Sequence, residues 1–190
     1  MPSVFPFSLI LSTPRFHLRI PSESDFPRIF SATRHPGFND GMLWEPPESM
    51  AELEAPLRRS HAAWEAGRKY DFSIVPTGED VLLGRISIRK MEGPGVWDIG
   101  FWTHPEAQGQ GVMSECVAEV LRFGFEQLAA TRIEACHAVW NKASERVLHK
   151  NGFQFVRHLP QGFQKRGEWV EENELAIERA DWLARLAASE

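Results

Sequence analysis

The chain has 190 residues, of which 43% are hydrophobic and 25% are charged, a composition typical of a soluble globular protein with one buried core. Its formal charge of -5 and its pI near 5.8 argue against a general nucleic-acid binder, which would be basic. A local basic patch is still compatible with these values, for instance around Lys165 and Arg166.

The apolar segment 4–11 is the first feature along the chain. No Lys or Arg precedes it, Pro6 interrupts it and no small-residue cleavage site follows, so its pattern differs from that of a signal peptide. No apolar run approaches the roughly 18 residues of a membrane span. We therefore predict a cytoplasmic protein with no membrane partner, in which residues 1–11 form an edge strand or packing arm. Such an arm could pair across a homodimer.

The middle of the chain alternates strand and helix patterns. In chain order we predict a strand over 15–20, a helix to about 33, a loop over 35–47, a helix over 49–67 and strands over 72–75, 81–89 and 96–103. After a glycine-rich loop we predict a helix, a strand over 132–139, a helix over 141–151, strands over 153–159 and 168–177 around a 160–167 loop, and a helix over 180–188. Ser49 and Glu52 have capping-box spacing. This order predicts one mixed α/β domain over residues 1–190.

The glycine-rich loop, Gln108 to Met113, lies between a predicted strand and a strongly amphipathic helix. Glycines let the backbone turn tightly, and a helix start offers free N–H groups and the positive end of its dipole, which together favour an anion. No Gly-Lys-Ser/Thr follows, so this is not a P-loop. Ser114 stands where a dinucleotide fingerprint has its third glycine. The pattern predicts a phosphate site or, as the alternative, only a tight turn.

Cysteine and histidine residues give no sign of a disulfide framework or a metal site. Cys116 falls on the apolar stripe of the amphipathic helix, and Cys136 shows no CxxC spacing with it, which favours buried thiols in a reducing compartment. The seven histidines lack HxxxH or HExxH spacing, so we expect no metal. His104 is interpreted as a turn residue rather than a base.

Several motifs resemble, in the same order, those of the GNAT superfamily of acetyl-CoA-dependent N-acetyltransferases, in its RimJ/RimL-like branch. Gln108-Gly109-Gln110-Gly111 matches the Q/R-x-x-G-x-G/A pyrophosphate loop; Met113 departs from its last small position but is frequent in this branch. The other motifs are Thr13-Pro14-Arg15-Phe16-His17-Leu18-Arg19, Asp98-Ile99-Gly100-Phe101-Trp102, Asn141-Lys142-Ala143-Ser144 and Lys150-Asn151-Gly152-Phe153. The resemblance covers about residues 12–183.

The resemblance implies a single-domain GNAT fold: a mostly antiparallel twisted sheet of six to seven strands, flanked by about four helices and splayed at the acetyl-CoA site. It also implies that the pantetheine arm pairs with the backbone of Phe101, Trp102 and Thr103, where an N–H polarises the thioester carbonyl. Asn141 and Ser144 would complete the cofactor site. Main-chain N–H groups of the glycine-rich loop would hold the pyrophosphate, namely those of Gln108, Gly109, Gln110, Gly111, Val112, Met113 and Ser114.

Three residues are candidates for catalysis. Ser144 could protonate the departing CoA sulfur, and Asn141 before it could order the cofactor or serve only as a helix N-cap. Asp98 could be the base, or the anchor of a water relay, or a structural carboxylate that pairs with an arginine. Glu45 could reach the acceptor amine or could be an ordinary solvated loop residue.

The resemblance implies transfer of an acetyl group from acetyl-CoA to a primary amine, with a protein N-terminal α-amine of the ribosomal-protein type as the first hypothesis. The loops 35–47 and 159–167 would select this acceptor. Two alternatives stay open: a small-molecule amine such as an antibiotic or polyamine, and a non-catalytic CoA-binding sensor or interaction module.

Overall fold

The computed structural model describes residues 4–188, which contain eight strands and five α-helices. The strands are β1 (Leu11–Ser12), β2 (Phe16–Arg19), β3 (Lys69–Pro76), β4 (Gly84–Lys90), β5 (Val96–Thr103), β6 (Arg132–Ala138), β7 (Gln154–Lys165) and β8 (Glu168–Glu178). The helices are α1 (Phe26–Ala32), α2 (Glu54–Glu65), α3 (Val112–Glu126), α4 (Lys142–Lys150) and α5 (Arg179–Ala187). Short 3₁₀ segments, Glu23–Asp25, Met50–Leu53 and Pro105–Ala107, precede α1, α2 and the glycine-rich loop.

All strands belong to one sheet with the order β1-β2-β3-β4-β5-β6-β8-β7. Neighbouring strands are antiparallel except β5 and β6, which run parallel and pair only from Val96↔Arg132 to Asp98↔Glu134. Beyond Asp98, β5 stays paired with β4 and β6 stays paired with β8. The sheet therefore forks at its centre. This mixed α/β fold with a splayed, mostly antiparallel sheet confirms the predicted fold class.

Helix α3 covers the β-sheet because its apolar stripe matches the helical period. Cys116, Val117 and Val120 are fully buried in one large core that includes side chains of β2 to β6. Gly124 allows the helix to approach the sheet, because a Cβ atom there would lie 2.7 Å from Ile133 and 2.9 Å from Ile88. A smaller cluster under α1 and α2 packs against Trp102 of β5. Both clusters hold β5 in place.

The sheet has one strand more than the upper predicted number because Leu11–Ser12 pairs with β2. This two-residue strand is too short for a periodic signal. Upstream of it, Phe5 packs edge-on against Tyr70 and Phe123, and its carbonyl accepts a hydrogen bond from the Trp64 indole. Residues 1–3 of the predicted arm lie outside the described residues.

The predicted loop over 160–167 is wrong, because β7 continues to Lys165 and the turn consists of Arg166 and Gly167. The register of β7 against β8 shifts between Leu159 and Phe163. As an edge strand with such an irregularity, β7 tolerates the proline and glycine that suggested a loop. The predicted capping box of Ser49 is also wrong, since the Glu52 carboxylate accepts a hydrogen bond from the Glu48 N–H instead.

Candidate active site

The fork between β5 and β6 is the centre of the candidate site. From Ile99 to Thr103 the edge of β5 that faces β6 has no strand partner in the described sheet, and the same holds for β6 after Glu134. Phe101 packs on the large core and Trp102 packs on the small one, with its ring edge-on to Phe38 at 5.4 Å. These two side chains are therefore anchors. What this part of β5 offers to a ligand is its main chain.

The glycine-rich loop follows β5 at the open end of the fork. Gly109 and Gly111 adopt φ values of +75° and +76°, and Gly111, as the N-cap of α3, provides no capping side chain. The six main-chain N–H groups from Gly109 to Ser114 have no hydrogen-bond acceptor among residues 4–188. A row of free amides at a helix N-terminus is suited to a phosphate.

Side chains of the loop support its backbone. The amide groups of Gln108 and Gln110 donate to the carbonyls of Thr103 at 3.3 Å and Glu106 at 3.1 Å. Val112 and Met113 are buried in the core, so only their main chain is available to a ligand. The Ser114 carbonyl accepts a hydrogen bond from Asn151, which joins the start of α3 to the end of α4.

His104, at the start of this loop, is fully buried and has a structural role. Its Nδ1 accepts a hydrogen bond from the Glu106 N–H at 3.2 Å, and its Nε2 lies 3.3 Å from the Ser31 hydroxyl. Burial lowers the pKa of the imidazole, and the charge of Arg28 lowers it further. The neutral ring caps the 3₁₀ turn over Pro105–Ala107, in agreement with the interpretation as a turn residue.

Asn141 and Ser144 lie after β6, on the other side of the fork. The Asn141 side-chain oxygen accepts a hydrogen bond from the Ser144 backbone N–H at 3.1 Å, which caps α4. The Ser144 hydroxyl, by contrast, has no hydrogen-bond partner in the described part of the chain, and the residue is half-buried. Because β5 and β6 are parallel, the segments that follow them lie at the same edge of the sheet.

Asp98 occupies the last paired position of β5 before the strands diverge, opposite Glu134. Its carboxylate accepts a hydrogen bond from Arg89 Nε at 3.0 Å, which is the structural pairing that the sequence left open. Burial raises the pKa of Asp98, Arg89 opposes this effect and Glu134 adds to it. A raised pKa suits a general base, and that role stays a prediction.

Glu45 lies in the loop between α1 and α2 and is bound to two cations at the end of the β7–β8 hairpin. Lys165 Nζ lies 3.0 Å and Arg166 Nη2 lies 3.3 Å from its carboxylate oxygens. Lys165 is only 8% exposed and also donates to the carbonyls of Met42 and Trp44, both at 2.9 Å. The hydrogen bond from Lys165 lowers the pKa of Glu45, which disfavours it as a base.

The contacts of Lys165 join the two segments that were predicted to select the acceptor. Sequence reasoning considered Lys165 and Arg166 only as a basic patch, since a contact between distant segments leaves no local pattern. A cleft of about 420 Å³ lies beside them. Its lining consists of Asp40, Trp140, Lys165, Arg166, Glu168, Trp169 and Val170.

Residues 4–188 contain no helix that is long and apolar enough to cross a membrane. Within the same residues, no group of three or more His, Cys, Asp or Glu side chains could hold a metal ion.

Comparisons with known proteins agree with this geometry. Residues 15–154 match the model of the family described as acetyltransferase (GNAT) domain. The chain is 31% identical over 111 residues to the uncharacterized N-acetyltransferase YnaD of Bacillus subtilis, a match that covers 58% of this chain and 65% of YnaD.

Two solved structures have the same fold. The chain is similar to RimL, the ribosomal L7/L12 alpha-N-protein acetyltransferase, in complex with coenzyme A, with a TM-score of 0.80, 20% identity and coverage of 90% of this chain and 98% of that one. It is also similar to Mycobacterium smegmatis RimJ in complex with CoA-disulfide, with a TM-score of 0.75, 23% identity and coverage of 92% and 88%.

Proposed function

Because this chain belongs to the acetyltransferase (GNAT) family, we propose that it transfers an acetyl group from acetyl-CoA to a primary amine, with a protein N-terminal α-amine as the acceptor. The observation that carries the proposal is the combination of a forked sheet with six free amides at its open end. An extended thioester arm fits the unpaired edge of β5, and a diphosphate fits the amides.

Each part of acetyl-CoA has residues that fit it. The amides of Gly109 to Ser114 would hold the pyrophosphate, and the main chain of Phe101 to Thr103 would hold the pantetheine arm. Arg146 and Lys150, on the exposed side of α4, have no ion-pair partner among the described residues and could neutralise further phosphate charge. These residues supply main-chain polar groups for the pyrophosphate and the pantetheine arm, and positive charge for the other phosphate of acetyl-CoA.

The chemistry needs a neutral amine, an electrophilic carbonyl and a proton for the leaving sulfur. The amine nitrogen attacks the thioester carbon, and the C–S bond breaks as the thiolate takes a proton from the Ser144 hydroxyl. The proton lost by the amine passes to Asp98, directly or through water. Asp98 then releases this proton to solvent and Ser144 regains one from solvent, which restores both groups. An α-amine has an ordinary pKa of about 8, so a weak base is sufficient. Asp98 is better suited than Glu45 to act as the base, because the pKa of Asp98 is raised and the pKa of Glu45 is lowered.

Two observations bear on the acceptor. The likeness in fold to RimL and RimJ favours a protein N-terminus. The volume of the cleft beside Lys165, about 420 Å³, falls within the usual range for small-molecule sites and favours a small amine as the second candidate.

The decisive experiment measures thiol release from acetyl-CoA with a panel of acceptors. The panel contains peptides with free N-termini, the same peptides with acetylated N-termini, and small amines such as polyamines and aminoglycosides. Turnover with free peptides alone supports the proposal, and turnover with small amines alone supports the second candidate. Thermal stabilisation by acetyl-CoA without turnover on any amine would indicate a binding module instead. No stabilisation by acetyl-CoA would overturn the central proposal.

A further inference from the structure

The contacts of Arg15 connect the start of β2 to the glycine-rich loop. Its Nε donates to the Glu115 carboxylate at 2.7 Å, and its backbone N–H donates to the other oxygen of that carboxylate at 3.1 Å. Its Nη1 donates to the Gln110 carbonyl at 3.2 Å. One side chain thus fixes both the loop and the first turn of α3.

The loop needs an external support of this kind. Gly109 and Gly111 have no side chains, and their amides make no hydrogen bonds among residues 4–188, so the loop has few contacts of its own. Arg15 also lies directly over the second glycine, since a Cβ atom on Gly111 would come within 3.4 Å of Arg15 Nη2. The Arg15–Gln110 contact therefore limits the motion of the segment that carries the free amides.

Glu115 presents an electrostatic problem that Arg15 resolves. Its carboxylate lies in the first turn of α3, close to the amides that would receive a diphosphate, and like charges repel. Burial alone would raise the pKa of Glu115, but hydrogen bonds from Thr13 and Arg15 keep it below its ordinary value, so the group is ionised. The ion pair with Arg15 neutralises this charge.

We propose that Arg15 is a positioning residue for acetyl-CoA, which acts through Glu115 and the Gln110 carbonyl to hold the loop amides in place and to neutralise the charge beside them. The inference rests on the proposed function. A positioning role of this kind affects the binding of acetyl-CoA and not the chemical step. Loss of Arg15 therefore weakens the complex with acetyl-CoA and leaves acceptor binding and kcat nearly unchanged.

The test compares four variants by titration calorimetry with acetyl-CoA. Arg15→Gln should raise the Kd about tenfold, since it removes a charge-assisted contact and leaves Glu115 unneutralised. Glu115→Gln alone should change the Kd by less than about threefold, and the double variant should recover to within about threefold of wild type. Arg122→Gln is the matched control: Arg122 lies on the same helix and, among residues 4–188, pairs only with Glu119 and Glu126.

Two further measurements separate positioning from general stability. In steady-state kinetics, Arg15→Gln should raise KM for acetyl-CoA with kcat changed less than about twofold. Hydrogen exchange should become faster at the amides of Gln108 and Glu115, which flank the free amides and donate to the carbonyls of Pro105 and Gly111, and stay unchanged in β7 and β8. Arg15→Lys should restore part of the affinity, because it keeps the charge without the guanidinium geometry that lets Nε and Nη1 contact Glu115 and Gln110 together.

The outcomes are distinct. Wild-type affinity in Arg15→Gln would overturn the inference and leave the proposed function standing. Equal weakening in Arg15→Gln and the double variant would also overturn it, because Arg15 would then not act through Glu115. A wild-type protein that does not bind acetyl-CoA would overturn both proposals.

Discussion

Lys165 and Glu45 form a 3.0 Å ion pair that joins the β7–β8 hairpin to the loop between α1 and α2. Lys165→Met should raise KM for the amine acceptor about tenfold without a change in KM for acetyl-CoA, since the two segments proposed to select the acceptor lose their common contact. The loss of hydrogen bonds to two carbonyls should cost about 1–3 kcal/mol of unfolding free energy. Steady-state kinetics and urea denaturation measure these effects.

Arg166→Met is the matched control for that prediction. Arg166 lies at the same hairpin and shares Glu45, but its side chain is 64% exposed and contacts neither carbonyl. Its replacement should raise the acceptor KM by clearly less than Lys165→Met does, because Arg166 lines the same cleft but forms an exposed ion pair. Equal effects of the two variants would contradict a specific role for Lys165.

Ser144→Ala should lower kcat about 100-fold and leave KM for acetyl-CoA within about twofold, because it removes only the proton donor for the sulfur. The cap of α4 uses the backbone N–H of Ser144, so alanine preserves the helix start. Ser114→Ala, at the start of α3, is the control, since within residues 4–188 its carbonyl accepts a hydrogen bond from Asn151 and its hydroxyl makes none. An unchanged kcat would remove Ser144 from the mechanism.

Gly109→Ala and Gly111→Ala should both weaken acetyl-CoA binding, and Gly111→Ala more so. Each forces alanine into a positive φ, at a cost of about 1–2 kcal/mol. Only at Gly111 does the new Cβ also meet Arg15. Calorimetric titration with acetyl-CoA measures the affinities.

Gly93→Ala separates backbone strain from cofactor binding. Gly93 has a φ of +105°, a Cβ atom there would make only an ordinary contact with Val96 at 3.5 Å, and the residue lies between β4 and β5, at the end of β5 opposite to the glycine-rich loop. This variant should lose about as much free energy of unfolding as Gly109→Ala and should keep the wild-type affinity for acetyl-CoA. Weakened binding of acetyl-CoA in this variant would show that backbone strain at any turn is enough to reduce the affinity.

Cys136 is an exposed residue, so the prediction that both cysteines are buried is wrong for it, yet we expect it to react slowly with iodoacetamide. Burial of its thiol and the charges of Glu172 and Glu174 raise its pKa to about 12. At pH 7.5 we expect alkylation about 1000-fold slower than for a free thiol with a pKa near 8.5. Mass spectrometry locates the adduct, and Glu172→Gln should accelerate it. A rate equal to that of a model thiol would contradict the argument.

Asp25 should link stability to pH. Burial alone would raise its pKa, but hydrogen bonds from Arg19, Ser73 and the Ser22 N–H lower the pKa below its ordinary value. The carboxylate therefore stabilises the fold above the unfolded pKa of about 3.9, and this contribution disappears as pH falls through the lower folded pKa.

Asp25→Asn should lose about 3–5 kcal/mol at pH 7, because Arg19 loses its buried partner, and the difference from wild type should shrink towards pH 3. Asp80→Asn is the control: Asp80 pairs with the same Arg19 but is 64% exposed, so about 1 kcal/mol or less is expected. Urea denaturation across pH measures both. A loss that does not depend on pH would contradict the linkage.

Local patterns predicted much of this molecule. The apolar period of α3 and the glycines at its start, with φ values near +75°, are properties of adjacent residues, so the loop and its helix are visible in the sequence. The roles of Lys165 and Arg15 are not, because each depends on contacts with residues more than ninety positions away. Pro160 and Gly162 suggested a loop because a single sequence does not reveal that β7 is an edge strand.

The fork between β5 and β6 also affects how the protein can evolve. The groups it exposes belong to the main chain, so side chains from Ile99 to Thr103 can be exchanged without removing a main-chain donor or acceptor. Proline is the one substitution that deletes an N–H there. The proposed site for the thioester arm is thus encoded by topology rather than by residue identity. Mutational drift along these strands should alter packing and acceptor preference long before it abolishes the proposed recognition of that arm.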